Sequence, residues 1–209
     1  MTRHKSAYLP FKRAIDVVVS GVGLAVSAPV MAAVAVAVRR DLGSPILFQQ
    51  ERPGRHGKPF YLVKFRTMRS LGSSDSVAND AERLTPLGRW LRSTSLDELP
   101  TLWNVIRGDM SLVGPRPLLP EYLERYTPEQ NRRHEIRPGI TGLAQVRGRN
   151  ALTWDAKFAS DVEYVDGLSL AMDLRVLWTT ILVVLRRTGV SAPGVETMPV
   201  FERSRRGAG

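Results

Sequence analysis

Residues 17–38, VVVSGVGLAVSAPVMAAVAVAV, are 22 consecutive positions without one ionisable side chain. At about 1.5 Å of helical rise per residue, such a segment is long enough to cross roughly 30 Å of hydrocarbon. Lys12 and Arg13 precede it and Arg39 and Arg40 follow it, whereas a simple spanning helix gathers its basic residues at the cytoplasmic end. Positive charge at both ends predicts that both face the inner side. Pro29 sits inside the segment, where it removes a backbone N–H and bends a helix. A re-entrant helix that enters and leaves by one face satisfies both observations. Two other readings stay open at this point. A basic start, an apolar stretch and the small residues Ala35-Val36-Ala37 resemble a secretory signal peptide, although Arg39-Arg40 counts against export. A single-pass helix of modest hydrophobicity is the other.

The rest of the chain must supply the core. With 209 residues, 43% of them hydrophobic, there is enough apolar material for one sizeable domain beyond the membrane segment. No cysteine is present, which excludes disulfides, zinc-thiolate sites and cysteine nucleophiles. The three histidines, His4, His56 and His134, are too scattered to suggest a histidine metal site. A formal charge of +10 favours anionic partners: nucleic acid, nucleotide phosphates or acidic headgroups.

Residues 46–51 and 60–68 read as two short strands joined by a basic, Pro- and Gly-rich loop. Residues 71–80, rich in Ser and Asp, read as a surface loop. Beyond them the pattern turns helical. Residues 87–92 form a short basic piece, and Leu99, Leu102, Trp103 and Ile106 make an apolar stripe over 96–106. The fold class expected is mixed α/β (α+β). It combines the N-terminal membrane helix, a small β-hairpin or sheet and several helices, some of them interfacial and amphipathic.

Asp97 and Glu98 stand at the start of that striped helix. Ser95-x-x-Glu98 matches a capping box, and acidic residues suit a helix N-terminus, so a purely structural role is available. Pro100 fits that role poorly: with Ser95 as N-cap it would occupy the fifth helical position and cost a hydrogen bond. Around the dyad lie Lys64 and Arg66, Arg89 and Arg92, and Arg116 within Gly114-Pro115-Arg116-Pro117. Arginine forks bind phosphate oxygens bidentately, and flanking prolines restrict the backbone that carries one.

Taken together, Lys12-Arg13-x-x-Asp16, KFRTM at 64–68, SLDELPTLWNVIRGDMSLVGPRPLLPEY at 95–122, RPGITGLAQVRGRN at 137–150 and the stretch 154–173 resemble the bacterial sugar transferases, specifically the small monotopic polyprenyl-phosphate phosphoglycosyl transferases. The resemblance covers nearly the whole chain. It implies a two-step exchange in which a carboxylate attacks the β-phosphate of a UDP-sugar, releases UMP and holds the phosphosugar until undecaprenyl (polyprenyl) phosphate takes it. Asp97 matches the nucleophile, and Glu98 the partner carboxylate associated with Mg²⁺. Arg92, Arg116 and Pro117 match phosphate- and nucleotide-binding positions, Lys64 a strand lysine at the transferring phosphate, and Asp173 a further acidic active-site position. Asp173 also has a plain reading as a first-turn residue of a helix capped by Ser169. The stretch 148–173 looks most like members that act on N-acetylated sugars, with UDP-glucose or UDP-galactose as alternatives.

The resemblance divides the chain into a membrane helix (1–40), a catalytic domain (41–195) and a basic tail (196–209) that is expected to be loose. It implies a UDP-sugar donor, a polyprenyl phosphate acceptor and a lipid bilayer as partners, no nucleic acid, and a homodimer as an open question. The place implied is the cytoplasmic face of the bacterial inner membrane. In one respect the chain departs from many short relatives, which carry Ser directly before the helix-breaking proline where this chain has Ser27-Ala28-Pro29. A final helix over about 169–187, with Trp178 and Arg186-Arg187, suits the membrane interface or the domain core equally. Two rivals from other classes are a basic nucleic-acid binder, which needs no uncharged 22-residue segment, and a non-catalytic membrane scaffold, which leaves Asp97-Glu98 and Pro-Arg-Pro without a purpose.

Overall fold

The computed structural model describes residues 3–69, 83–148, 152–186 and 201. The loop expected at 71–80 and most of the C-terminal tail lie outside these residues. The apolar segment is part of one helix, α1 (Arg3–Leu42), forty residues long with Pro10 and Pro29 inside it. By length and composition it can cross a membrane. Its boundaries exceed those expected because the polar turns before Val17 continue the helix onto the globular domain. Val18, Val22, Val26 and Val30 line an exposed apolar face at four-residue spacing, while Ser20, Val34 and Val38 are buried. Ser27 Oγ lies 3.5 Å from the Leu24 carbonyl, not the Ala25 carbonyl whose partner Pro29 removes.

Next come β1 (Leu47–Pro53) and β2 (Pro59–Phe65), antiparallel in the register Gln50↔Leu62 and closed by a turn in which His56 and Gly57 take positive φ. This is the predicted hairpin, its first strand starting one residue later and running two residues further than expected, its second ending before Arg66. The outer edge of β2 is covered by side chains of α3 (Thr101–Arg107): Thr101 Oγ1 donates to Val63 O, Asn104 Nδ2 donates to Tyr61 O, and Val63 N donates to Asn104 Oδ1. Three polar contacts thus fix this helix against an edge that would otherwise be open to pairing.

Between them runs α2 (Pro86–Ser93), started by Thr85, whose side chain accepts from Gly88 N, and by proline at its first turn. A second, parallel pair joins β3 (Ser111–Val113) to β4 (Gly139–Thr141). Its backbones cross so closely beside the Gly-Pro-Arg-Pro turn that a Cβ on Gly139 would lie 2.1 Å from Gly114 N. Short helices α4 (Pro128–Asn131) and α5 (Leu143–Arg147) lead to α6 (Trp154–Asp166) and α7 (Leu170–Arg186). The main core gathers Val105, Met110, Val113, Tyr164, Val165 and Val176.

Two features decide questions the sequence left open. Helix α7 buries Asp173 and Val176 yet exposes Leu170, Leu174, Trp178 and Ile181. It is therefore amphipathic, with an apolar stripe turned outward, as an interfacial helix requires. The tail is not wholly loose. Phe201 is 3 % exposed and packs among Tyr122, Tyr126, Trp154 and Phe158. Its carbonyl accepts from Arg125 and its N–H donates to Tyr122 Oη.

Candidate active site

A cavity of about 480 Å³ opens between the hairpin, the 95–102 segment, the Gly-Pro-Arg-Pro turn and helices α5 to α7. Local backbone conformation puts the acidic dyad there. Ser95 is left-handed, at φ 58 and ψ 16, and its side chain makes no capping hydrogen bond. The predicted capping box is absent. Leu96–Glu98 form a single 3₁₀ turn, and α3 starts only at Thr101 with Pro100 in the N-cap position, where a missing N–H costs nothing. The break turns Asp97 inward, 5 % exposed, and leaves Glu98 at the rim.

Three of the predicted residues surround the dyad. Arg116 Nη2 donates to Glu98 Oε1 at 2.8 Å. Arg92 Nε donates to Thr67 Oγ1 at 3.1 Å, which orients its guanidinium from the end of α2. Lys64, on β2, lines the cavity with its ammonium 5.5 Å from the Phe48 ring centroid. Burial pushes the Lys64 pKa down, while Asp97 pulls it up and Arg116 and Arg92 add to the decrease. Burial and then the adjacent Glu98 raise the Asp97 carboxyl to about 6, against the opposing pull of Lys64, Arg92 and Arg116. Among the described residues no donor hydrogen-bonds the Asp97 carboxylate, so its oxygens are left for a ligand.

Two predicted residues are elsewhere. Pro117 is buried behind the turn and does not line the cavity. Its carbonyl lies 3.5 Å from Arg52 Nη1, so it braces the loop carrying Arg116. Asp173 is also outside the cavity. It accepts from Tyr8 Oη at 2.7 Å, Lys12 Nζ at 2.6 Å and Tyr164 Oη, and ties the foot of α1 to α7. Asp173 sits in the first turn of α7, behind Ser169, whose Oγ accepts from Met172 N.

The cavity includes residues that sequence reasoning missed. Arg133 and Asp161 form a buried pair on its wall, with Nη2 to Oδ2 at 2.7 Å, and Arg133 also donates to the Arg116 carbonyl at 2.7 Å. Lys157 lies 5.1 Å from the Trp154 ring centroid. The one available signal was the four-residue spacing of Lys157 and Asp161, which puts both on one face of α6. Among the described residues no cluster of three or more His, Cys, Asp or Glu could hold a metal. The rim carboxylate Glu98 could still hold Mg²⁺, which takes as few as one carboxylate together with substrate phosphates and water.

The bacterial sugar transferase family matches residues 7–187, almost all of this arrangement. The chain belongs to that family. It is 52% identical over 168 residues to the uncharacterized sugar transferase EpsL of Bacillus subtilis, covering 80% of this chain and 83% of that one. To the UDP-glucose:undecaprenyl-phosphate glucose-1-phosphate transferase of Caulobacter vibrioides it is 41% identical, over 81% of this chain and 68% of that protein. To the undecaprenyl-phosphate galactose phosphotransferase of Salmonella typhimurium it is 40% identical over 90% of this chain, but the match spans 43% of that longer protein. The outward apolar faces and the cation-lined cavity stand together in this one molecule.

Proposed function

We propose that this bacterial sugar transferase moves a sugar-1-phosphate from a UDP-sugar to undecaprenyl or another polyprenyl phosphate at the cytoplasmic face of the inner membrane. The observation that carries the reading is Asp97: a buried carboxylate without a hydrogen-bond donor among the described residues, facing Lys64, Arg92 and Arg116 in one cavity. Relatives named for transfer of glucose-1-phosphate and galactose to undecaprenyl phosphate support the reaction class.

In the first step an Asp97 oxygen bonds to the β-phosphorus of the donor. The bond from that phosphorus to the bridging oxygen breaks, and its electron pair leaves on UMP. Arg116 and Arg92 hold the diphosphate in line, and Lys64 faces the charge that develops on the phosphoryl oxygens. Mg²⁺, held by Glu98, would screen the repulsion between the Asp97 carboxylate and the diphosphate. In the second step an oxygen of the acceptor phosphate attacks the same phosphorus and Asp97 leaves as a carboxylate. Splitting the exchange lets two bulky anions use one site in turn. Re-entrant insertion of α1 is part of the proposal, since it keeps Lys12 and Arg40 on the side where soluble UDP-sugar is found. For the sugar, the 148–173 resemblance favours an N-acetylated hexose, while the relatives' names favour galactose or glucose.

The test is UMP release from a panel of UDP-sugars with undecaprenyl phosphate and Mg²⁺, against Asp97→Asn and EDTA controls. UMP from one or two donors, lost in both controls, is expected. Sustained turnover by a clean Asp97→Asn preparation would sink the nucleophile assignment.

A further inference from the structure

A second site lies at the foot of α1. A shallow hollow there is lined by Leu9, Lys12, Arg13, Asp16, Arg55 and Arg137, among others, and shares no lining residue with the catalytic cavity. Four cations face one carboxylate, and that carboxylate is committed: Asp16 accepts from Ser111 Oγ at 2.7 Å and from Leu112 N at 3.1 Å. Lys12 is engaged by Asp173 at 2.6 Å.

The three arginines are held almost entirely by backbone. Arg13 donates to the Val105 and Ile106 carbonyls, Arg55 Nε to the Glu135 carbonyl at 3.1 Å, and Arg137 Nε to the Gly108 carbonyl at 2.8 Å. Among the described residues none of the three has an ion pair. Arg55 and Arg137 each spend only Nε, so both terminal nitrogens of each fork remain to donate. The Arg137 pKa is pushed down by burial and then by Arg13 and Arg55, the mark of like charges crowded together. Fixed guanidiniums with spare forks, outnumbering the one committed carboxylate beside them, make a receptor for an anion.

The position says which anion. Arg13 is four residues before the uncharged segment. Phe11 beside it and Val18 beyond it are both exposed, at 55 % and 63 %. The hollow therefore sits where the membrane surface meets the globular domain. It is too shallow to enclose a nucleotide or sugar, so a soluble ligand would gain little there, whereas a bilayer presents phosphates at high local concentration. We infer that Arg13, Arg55 and Arg137 form a binding site for the phosphate of an anionic phospholipid, separate from the substrate cavity.

The test does not depend on turnover, so it stands or falls apart from the proposed reaction. Full-length protein is extracted from nanodiscs of phosphatidylcholine with phosphatidylglycerol, and retained lipid is counted by native mass spectrometry. Selective retention of one phosphatidylglycerol is expected, weakened about fivefold for each of Arg55→Gln and Arg137→Gln. Arg175→Gln, which removes a cation from the exposed face of α7, should leave it unchanged. Equal loss in the Arg175→Gln control, or no preference for phosphatidylglycerol, would overturn the site. Displacement of the lipid by millimolar inorganic phosphate would overturn the choice of a headgroup. Should the variants misfold, photoactivatable phosphatidylglycerol on the native chain must label peptides carrying Arg13, Arg55 or Arg137. Labelling elsewhere would also overturn it.

Discussion

Asp97 and Asp173 are equally buried, each 5 % exposed, and their surroundings are opposite. Asp173 is met by two tyrosine hydroxyls and the Lys12 ammonium, so its charge is matched and its oxygens are used. Asp97 has cations around it but no hydrogen-bond donor among the described residues, and a second carboxylate follows it in the chain. Burial alone therefore does not mark a reactive group. What separates the anchor from the proposed nucleophile is whether the protein itself completes the coordination of the carboxylate or leaves that to a ligand.

The largest expected effect breaks the comparison at its reactive end. Asp97→Asn should lower turnover by about a thousandfold or more, because an amide cannot form or release the acyl phosphate. The same variant should be more stable than the native chain. The folded-state pKa, about 6 against a reference of 3.8, means that the folded protein binds this proton more tightly than the unfolded one. Stability from the proton is full below the reference value and is lost as pH rises through about 6. Asp97→Asn should thus match the native chain near pH 4 and exceed it by about 3 kcal/mol at pH 7. Chemical denaturation at the two pH values checks this, and a variant less stable at pH 7 would refute the buried-charge account.

At the anchoring end the sign reverses. Asp173→Ala leaves Lys12 buried without its main partner and should cost about 3–5 kcal/mol, with α1 loosened from α7. Pairing Asp173→Leu with Lys12→Met should recover much of that loss, since two matched apolar groups need no counter-charge. If the double variant is no better than the single one, the ion pair is not what holds the helix. Phe201→Ala should cost about 3 kcal/mol by emptying the aromatic cluster around Tyr122 and Phe158. Proteolysis at the C-terminus should accelerate with it.

The two aspartates also show how far the sequence was readable. The hairpin, the basic α2 and the dyad with its arginines were legible because turn residues, hydrophobic period and motif lie within short windows. Asp173 was placed with the dyad by resemblance, because its real partners, Tyr8 and Lys12, are more than 160 residues away in the chain. Phe201 escaped for a related reason: one aromatic residue in a basic tail has no periodicity to announce it. Arg133 and Asp161 were missed because a buried pair 28 residues apart leaves no local pattern. The capping box failed differently. Its letters were correct, but Ser95 adopts a left-handed conformation that letters alone do not reveal.

The pH profile links the carboxylate to its chemistry. Since the proposed attack requires an ionised Asp97, kcat/KM should rise with a single-proton slope through about pH 6. Glu98→Gln removes the neighbouring charge that raises this pKa, so the midpoint should move down, whatever it does to the maximum rate. A midpoint that stays at about 6 would show that burial alone sets it.

The smallest effect concerns Ser95, whose left-handed backbone turns Asp97 into the cavity. A non-glycine residue at φ 58 stores strain. Ser95→Gly relieves it in the folded state but also gives the unfolded chain more freedom, so the net change in stability should stay within about 1 kcal/mol. Turnover should respond in one direction only. Glycine lets the 3₁₀ turn sample other conformations, and Asp97 then spends less time in line with the phosphorus, so kcat should fall severalfold while the profile keeps its midpoint near pH 6. Ser95→Asn, which tolerates the left-handed region better than most residues, should retain most of the rate. If glycine and asparagine behave alike, the turn is held by its packing rather than by the residue at 95, and the strained serine has no part in presenting the nucleophile.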